Sequence, residues 1–239
     1  LNTGGSGAAV LVWSDDRNND EDLYAQRISV GSSTINTEWG DVGSGGKLII
    51  DASGAQTSPR VAQYDGDNSI ITWEDGRNGN NTDAYYQILN GSGNGTLIAD
   101  GVSVCTCDWQ IIKPRVKADN AVAYILWAAR RNGGTSDIYA QKIDSEGSTA
   151  WVDNGIEITT SDGSQTEPRL DTDGNGGVYF VWEDQRNSDV SGVDIYAQHV
   201  NSSGTIGYDA NGELICNAEN MQFNPLVRND GSGGALIVW

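Results

Sequence analysis

The 239-residue sequence predicts an all-β fold, and three observations support that expectation. Short apolar runs that end in tryptophan recur along the whole chain. No stretch keeps the 3.6-residue apolar period of an amphipathic helix. The 31 glycines against 4 prolines are typical of many tight turns. We therefore expect short strands joined by turns, and almost no helix.

The most regular element is a strand that ends in tryptophan. The tryptophans follow one another at intervals of 60, 54, 55 and 57 residues, at Trp13, Trp73, Trp127, Trp182 and Trp239. The run at 178–181 is apolar at every position, which is typical of a strand covered on both faces. An aspartate and an arginine usually follow two and four residues after the tryptophan, as Asp75 and Arg77 do.

Three further strands complete the predicted unit. A strand of pattern Asp-x-Tyr-x-Gln follows the tryptophan at 22–26, 83–87, 137–141 and 194–198. A fourth short run comes at 47–50, 96–99, 155–158 and 213–216. The first strand contains a proline 13 or 14 residues before the tryptophan, at Pro59, Pro114, Pro168 and Pro225. Asp-Gly and Asn-Gly sequences at 65–68 and 171–177 supply the positive φ that tight hairpins require.

A four-stranded unit that recurs every 54 to 60 residues is the pattern of a propeller blade. The sequence thus predicts a β-propeller of four-stranded antiparallel blades, with four to five blades represented, as part of a larger protein. We expect one domain or fragment, 1–239, with units at about 1–54, 55–109, 110–163 and 164–220 and a partial unit at 221–239. The first unit lacks its Pro-Arg strand. Either residues 225–227 complete the first blade of a four-bladed ring, or the chain is part of a ring of five or more blades, which we favour.

The charge of the chain excludes some partners. Its 14 Lys and Arg and 33 Asp and Glu give a formal net charge of −19, which is incompatible with the basic surface that nucleic acid requires. No apolar run reaches the roughly 20 residues of a membrane-spanning helix. Strong acidity with few lysines fits an extracellular or cell-surface setting and repels anionic partners.

Most arginines occupy fixed positions of the repeat. Three follow the prolines and four follow the tryptophans: Arg60, Arg115, Arg169, Arg17, Arg77, Arg131 and Arg186. Since a guanidinium suits bidentate binding of a carboxylate, we expect internal pairs, Asp75 with Arg77 or Arg77 with Asp83. The alternative is a ring of arginines presented to an anionic ligand.

The sequence predicts no catalytic residue. Glu74–Asp75 and Glu183–Asp184 resemble the paired carboxylates of glycosidases, but an element repeated in every unit is expected to serve folding. Catalysis should instead be sought in departures from the repeat. These are Ala128–Ala129, the doubled Arg130–Arg131 and an insertion at 101–109. The single histidine, His199, is expected to be packed rather than catalytic.

No organic cofactor is predicted, and one metal site is considered. Asp15, Asp16, Asp20 and Asp22, together with Glu21, offer hard oxygen ligands for Ca²⁺ in one loop. The alternative is a solvated acidic loop with Asp15 and Asp22 tied to Arg17.

Three cysteines do not make a disulfide framework in a chain of this length. We expect Cys105, Cys107 and Cys216 to be free thiols, or Cys216 to bridge to one of the pair.

The order Pro-Arg, Asp-Gly turn, Trp-Glu-Asp-x-Arg-Asn and Asp-x-Tyr-x-Gln resembles the WD40-like propeller repeats of the TolB type. Residues 184–187 and 194–198 carry the form that is found in large secreted and surface proteins of bacteria. The resemblance implies an exported binding or scaffolding module without catalysis, with a protein or glycan ligand at a propeller face. The alternatives are a polysaccharide-acting enzyme that uses channel carboxylates, or a structural subunit of a surface filament. Open strand edges favour self-association.

Overall fold

A computed structural model describes residues 2–3, 8–30, 35–40, 45–79, 81–130 and 134–239. Within these residues the chain forms nineteen strands and no helix. The all-β prediction is confirmed. All strand pairs in the described sheets are antiparallel.

Three of the sheets have four strands paired in chain order. The second sheet contains β6 (Gln56–Asp65), β7 (Asn68–Asp75), β8 (Asp83–Leu89) and β9 (Val102–Ser103). The third contains β10 (Gln110–Asp119), β11 (Val122–Arg130), β12 (Ser136–Ile143) and β13 (Ile156–Thr159). The fourth contains β14 (Gln165–Thr172), β15 (Val178–Asp184), β16 (Asp194–Val200) and β17 (Glu213–Cys216).

The first and last sheets differ from this plan. The first contains β1 (Asn2–Thr3), β2 (Ala8–Asp15), β3 (Asp22–Val30), β4 (Ile35–Thr37) and β5 (Lys47–Ile50), with both β4 and β5 on β3. The last contains only β18 (Leu226–Asn229) and β19 (Ala235–Val238). β18 pairs with β19 and β1 pairs with β2, so β18 does not complete the first blade. The predicted strand at 96–99 lies in a turn, and the outer strand of that sheet is β9.

The sheets pack face to face in chain order, because each is apolar on both sides. Separate apolar cores lie between the first and second, second and third, third and fourth, and fourth and fifth sheets. Strand β15 is buried along its whole length, as its unbroken apolar sequence predicts. The first strands β6, β10, β14 and β18 contact one another in succession and surround the hub of the propeller. The unit boundaries given above stay a prediction.

The hairpin after each tryptophan is closed by an aspartate and an arginine. Trp73 Nε1 donates to Asp75 Oδ2 at 2.7 Å, and Arg77 Nε and Nη2 donate to the two Asp75 oxygens at 2.8 and 2.6 Å. The Arg77 guanidinium also lies 4.0 Å from the centre of the Tyr85 ring. Arg17 and Arg186 repeat this arrangement. The expected internal pairing is therefore confirmed for these three arginines. Arg131 lies outside the described residues.

In the third sheet the same position carries Ala129, and no acceptor replaces the aspartate. Trp127 Nε1 is consequently buried without a hydrogen-bond partner among the described residues. Asp83, the other partner considered for Arg77, accepts a hydrogen bond from Asn78 instead.

Candidate functional site at the hub

Each inner strand or the segment leading into it has a residue with positive φ just before its proline. Ser58, Lys113, Glu167 and Asn224 have φ of 54°, 47°, 46° and 54°. In β6, β10 and β14 the strand register shifts at this point. A bulge of this kind bends the strand and re-aims its side chains. Four different residues therefore occupy equivalent positions, and the side chains of Lys113 and Glu167 meet between neighbouring inner strands.

Two of these bulges bring four charged side chains together between β10 and β14. The Glu167 carboxylate lies 2.8 Å from Lys113 Nζ, 3.3 Å from Arg115 Nη2 and 3.1 Å from Arg169 Nη1. We call Lys113, Arg115, Glu167 and Arg169 the hub cluster. It combines three cations with one carboxylate, in a chain whose net charge is −19.

The pKa values in the hub cluster reflect this excess of cations. The hydrogen bond from Lys113, together with that from Arg169, lowers the pKa of Glu167 against the effect of burial. Burial lowers the pKa of Arg115 to about 10, and the like charges of Arg169 and Arg60 add to this effect. Glu167 is therefore ionised at neutral pH, and Arg60 of β6 lies near enough to add a fourth positive charge.

A cavity of about 160 Å³ adjoins the hub cluster. Its walls include Lys113, Arg115, Ala128, Arg130, Ser136 and Glu167. Arg115 Nε is buried beside it with no hydrogen-bond partner in the described part of the chain. The cavity is thus lined both by apolar residues such as Ile112, Ala128 and Pro168 and by cationic side chains.

The cavity exists where the repeat loses a glutamate. Glu74 Oε1 accepts a hydrogen bond from the backbone N–H of Lys113, and Glu183 Oε1 accepts one from Asn224 at 2.8 Å. Each of these glutamates follows the tryptophan and reaches the bulge of the next sheet. The third sheet has Ala128 at this position, so no glutamate of this position reaches the bulge at Glu167. The predicted departure from the repeat and the hub cluster therefore lie together.

The carboxylate pairs that resemble those of glycosidases point apart. Asp75 faces its own hairpin, whereas Glu74 faces the hub and accepts a hydrogen bond from Thr57 at 3.3 Å. In the same way, Glu183 faces the hub and Asp184 faces its own hairpin. Burial raises the pKa of two described carboxyl groups, Asp22 and Asp83, which are the first residues of strands β3 and β8.

The acidic loop proposed for calcium is largely engaged by the protein itself. Arg17 Nε donates to Asp15 Oδ1 at 2.8 Å, and this hydrogen bonding lowers the pKa of Asp15 strongly. Asp20 Oδ2 accepts the backbone N–H of Gly54 at 3.0 Å. Asp22 is buried and bonded to Asn18, not to Arg17. The described residues contain no group of three or more side chains arranged to hold a metal ion. Calcium binding by Asp15, Asp16, Asp20 and Asp22 stays a prediction, which calorimetric titration with calcium tests.

The insertion at 101–109 contains Cys105 and Cys107 and adjoins a second cavity. Cys105 and Cys107 form a disulfide with each other, and Cys216 is free, so both expectations for the first two cysteines are wrong. The Cα atoms of two residues separated by one are 5.4 Å apart here, within disulfide reach. The cavity of about 330 Å³ beside them is lined partly by Asp83, which the repeat uses in its own hairpin.

His199 is packed, as its place on the Asp-x-Tyr-x-Gln strand predicts. Its Nε2 lies 2.9 Å from Asp173 Oδ2, and its ring centre is 4.6 Å from that of Tyr179. In the described part of the chain, His199 lines neither the hub cluster nor the cavity beside Ala128. A signal for the hub cluster was present in the sequence. The residue before the proline of each first strand differs between units: it is serine, lysine, glutamate and then asparagine. The sequence pattern around that residue is repeated in each of these units.

Comparison with known proteins shows the fold. No protein-family model matches the chain, and no curated protein matches it in sequence. An endo-arabinase from Bacteroides thetaiotaomicron aligns with a TM-score of 0.52 and 16% identity, over 97% of this chain and 84% of that one. An α-L-arabinanase from Penicillium chrysogenum, complexed with arabinobiose, aligns with a TM-score of 0.58 and 11% identity, over 99% and 72%. A polysaccharide lyase, an ulvan lyase, aligns with a TM-score of 0.64 and 10% identity, over 95% and 57%.

These findings define the chain as a β-propeller and correct two expectations. The resemblance to TolB-type repeats is wrong, because no family model supports it and similar structures include arabinan-acting enzymes and a polysaccharide lyase. The prediction of a non-enzymatic binding or scaffolding module, which that resemblance implied, is wrong for the same reason. No helical segment in the described ranges has the length and apolar character needed to cross a membrane.

Proposed function

We propose that this protein is a polysaccharide-acting enzyme whose site is the hub cluster with the cavity beside Ala128. The observation that carries the proposal is the convergence of Lys113, Arg115, Glu167 and Arg169 at a departure from the repeat. An active site requires a few unique groups at one place, and this is where the described residues provide them. Arabinan-cleaving enzymes and a polysaccharide lyase with a similar fold support the substrate class.

The protonation state of the hub cluster indicates its chemistry. Glu167 has a lowered pKa, so at neutral pH it can accept a proton or stabilise a developing positive charge, but it cannot serve as an acid. Lys113 and the two arginines can donate hydrogen bonds to sugar oxygens and stabilise negative charge that develops on them. In this proposal Glu167 accepts a proton, the Lys113 ammonium supplies the proton that the leaving sugar oxygen takes up as the glycosidic bond breaks, and the two arginines hold the glycan.

The function can be tested on soluble polysaccharides. Arabinan, ulvan, xylan and polygalacturonate are incubated with the purified protein, and new chain ends are measured. We expect one of them to be cleaved, and Glu167→Gln to lose at least about 100-fold in rate. Glu146→Gln, an exposed glutamate in a turn, is the matched control and should retain full activity. Cleavage of none of these polymers, or equal rates for Glu167→Gln and the native chain, refutes the proposal.

A polymeric substrate would place the protein outside the cytoplasm, in agreement with the expected extracellular or surface location. Fractionation of the producing cells tests this. Self-association through open strand edges remains a separate prediction, which sedimentation of the purified chain tests.

A further inference from the structure

We propose that the substrate is an acidic polysaccharide, and that the cavity beside Ala128 receives a carboxylate or sulfate group of one of its sugars. This inference rests on the proposed function and names the substrate class of the same site. It follows from the charge of the hub cluster, from the unpaired hydrogen-bond donor Arg115 Nε, and from the position where Ala128 replaces the glutamate of the repeat.

The first argument is the charge of the hub cluster. Lys113, Arg115 and Arg169 share one carboxylate, Glu167, and Arg60 stands close to Arg115. Like charges held together repel one another unless an anion compensates them. A neutral glycan such as arabinan offers no such compensation, whereas a uronate or a sulfate ester does.

The second argument is the donor that no protein group uses. Arg115 Nη2 contacts Glu167 at 3.3 Å, but Arg115 Nε is buried and has no hydrogen-bond partner in the described part of the chain. A buried donor without a partner is costly, and the guanidinium fork suits an anion with two oxygens. Arg115 lines the cavity, and a ligand carboxylate or sulfate bound there is the acceptor that we propose for this donor.

The third argument is that the repeat itself places a carboxylate in this space. Glu74 and Glu183 occupy the equivalent position in the second and fourth sheets, each bonded to the bulge of the next inner strand. The third sheet keeps the tryptophan strand β11, and the next inner strand β14 keeps its bulge at Glu167, but the residue after the tryptophan is Ala128. An acidic sugar group would therefore occupy the place that the side-chain carboxylate fills elsewhere in the protein.

The net charge of −19 does not prevent such binding. At physiological ionic strength, charges more than about 8 Å away are largely screened. The ligand would therefore sense mainly the local excess of cations at the hub.

The test is calorimetric binding to the complete chain, with five ligands measured separately. They are a neutral arabino-oligosaccharide, an oligogalacturonate, a sulfated oligosaccharide, sodium acetate and sodium sulfate. We expect the two acidic oligosaccharides to bind at least about tenfold more tightly than the neutral one, with affinity falling as salt is added. Free acetate and sulfate should bind more weakly than the oligosaccharides. Equal binding of free anion and acidic oligosaccharide would show a simple anion site and overturn the inference.

Ala128→Glu is the decisive variant, because it restores the glutamate of the repeat. It should fold, since Glu74 and Glu183 occupy the same position, and it should lose at least about tenfold in affinity for the acidic oligosaccharides because like charges meet. Ala128→Gln has the same size without the charge, and should lose less. Unchanged binding by a folded Ala128→Glu chain overturns the inference.

Arg115→Gln provides a second test if Ala128→Glu does not fold, and it should weaken acidic ligands while leaving neutral ones unaffected. Cleavage assays on the same glycans separate this inference from the proposed function. Cleavage and binding of neutral glycans alone would refute the inference and keep the function. Tight binding of acidic glycans without cleavage would refute the function and keep the inference.

Discussion

At the scale of the residue, Asp184 organises an entire hairpin. Its carboxylate is fully buried and accepts hydrogen bonds from Trp182 Nε1, from the Arg186 backbone N–H and from Arg186 Nε, at 2.8, 2.9 and 2.9 Å. Arg186 Nη2 completes the pair at 2.6 Å and also reaches the Asn211 carbonyl at 2.7 Å. The aspartate therefore links the tryptophan strand, the hairpin and the approach to the outer strand.

Replacing Asp184 by asparagine should destabilise the protein strongly. The change leaves the mostly buried Arg186 without its counter-charge, and breaking such a pair costs about 3–5 kcal/mol. Urea unfolding of Asp184→Asn measures the loss. Asp189→Asn, at an exposed position in the same loop, is the control and should change stability by less than about 0.5 kcal/mol. Similar losses for the two variants would contradict the assigned role.

Glu167 should make the free energy of unfolding depend on pH at values below 4.5, the ordinary pKa of a glutamate. Its pKa in the folded protein is lowered from 4.5, so the ionised carboxylate stabilises the fold above about pH 4.5. This contribution is lost as the pH falls through the folded-state pKa. Urea unfolding at pH 6 and at pH 3 should therefore show a smaller difference between the native chain and Glu167→Gln at the lower pH. For Glu146→Gln, the difference in unfolding free energy from the native chain should be small at both pH values. A difference for Glu167→Gln that is larger at pH 3 than at pH 6 would contradict the prediction.

At the scale of the element, a glycine admits the outer strand of each sheet. Gly101, Gly155 and Gly212 precede or begin these segments with φ of 83°, 82° and 90°. A Cβ at each position would meet the ring of Trp73, Trp127 or Trp182 and a backbone carbonyl of the third strand. The outer segment thus passes directly over the buried tryptophan. The contact between this glycine and the tryptophan ring explains why both residues recur at fixed positions in the repeat.

Gly155→Ala should therefore cost more than a change of backbone preference alone. Its Cβ would lie 2.6 Å from Trp127 Cη2 and 2.6 Å from the Ala140 carbonyl oxygen. Gly231 has a similar φ of 79° with nothing within 4 Å of a Cβ, so Gly231→Ala isolates the backbone cost of about 1–2 kcal/mol. In thermal unfolding, the Tm of Gly155→Ala should be well below that of Gly231→Ala. If the two melt together, the outer strand does not need this close approach.

At the scale of the whole molecule, the charge is distributed unevenly. The chain has 33 acidic and 14 basic residues. Among the arginines with defined partners, Arg17, Arg77 and Arg186 are held in hairpins, Arg115 and Arg169 lie at the hub, and Arg27 pairs with Glu38 and Asp67. Most of the surface is therefore acidic and self-repelling. The hub concentrates positive charge, and this contrast defines the candidate site.

Moderate salt should stabilise the protein. Screening weakens repulsion among the excess carboxylates, whereas the buried hairpin pairs are affected little. When sodium chloride is raised from 20 to 200 mM, the Tm measured by thermal unfolding should rise by roughly a few degrees. Potassium chloride should give the same rise, because screening depends on ionic strength. A Tm that falls with both salts would show that exposed ion pairs outweigh the repulsion.

The repeat made most of the fold predictable. Apolar strands such as 178–181, aspartate–arginine pairs such as Asp75 with Arg77, and the packed His199 follow from local pattern and from the chemistry of each side chain. The strand at 96–99 and the cysteine pairing were not predicted correctly. Both lie in the second unit, where an insertion changes the path of the outer segment and local pattern no longer sets the pairing.

The sequence by itself determined the class of fold, because each apolar sheet repeats at a constant interval and buries its faces between neighbours. It also marked Ala128–Ala129 as a departure from the repeat. Only the tertiary structure decided what that departure means, since Lys113 and Glu167 are 54 residues apart and meet through bulges on adjacent inner strands. Contacts between successive units depend on how the sheets are arranged about the hub, and no local pattern of residues records that arrangement.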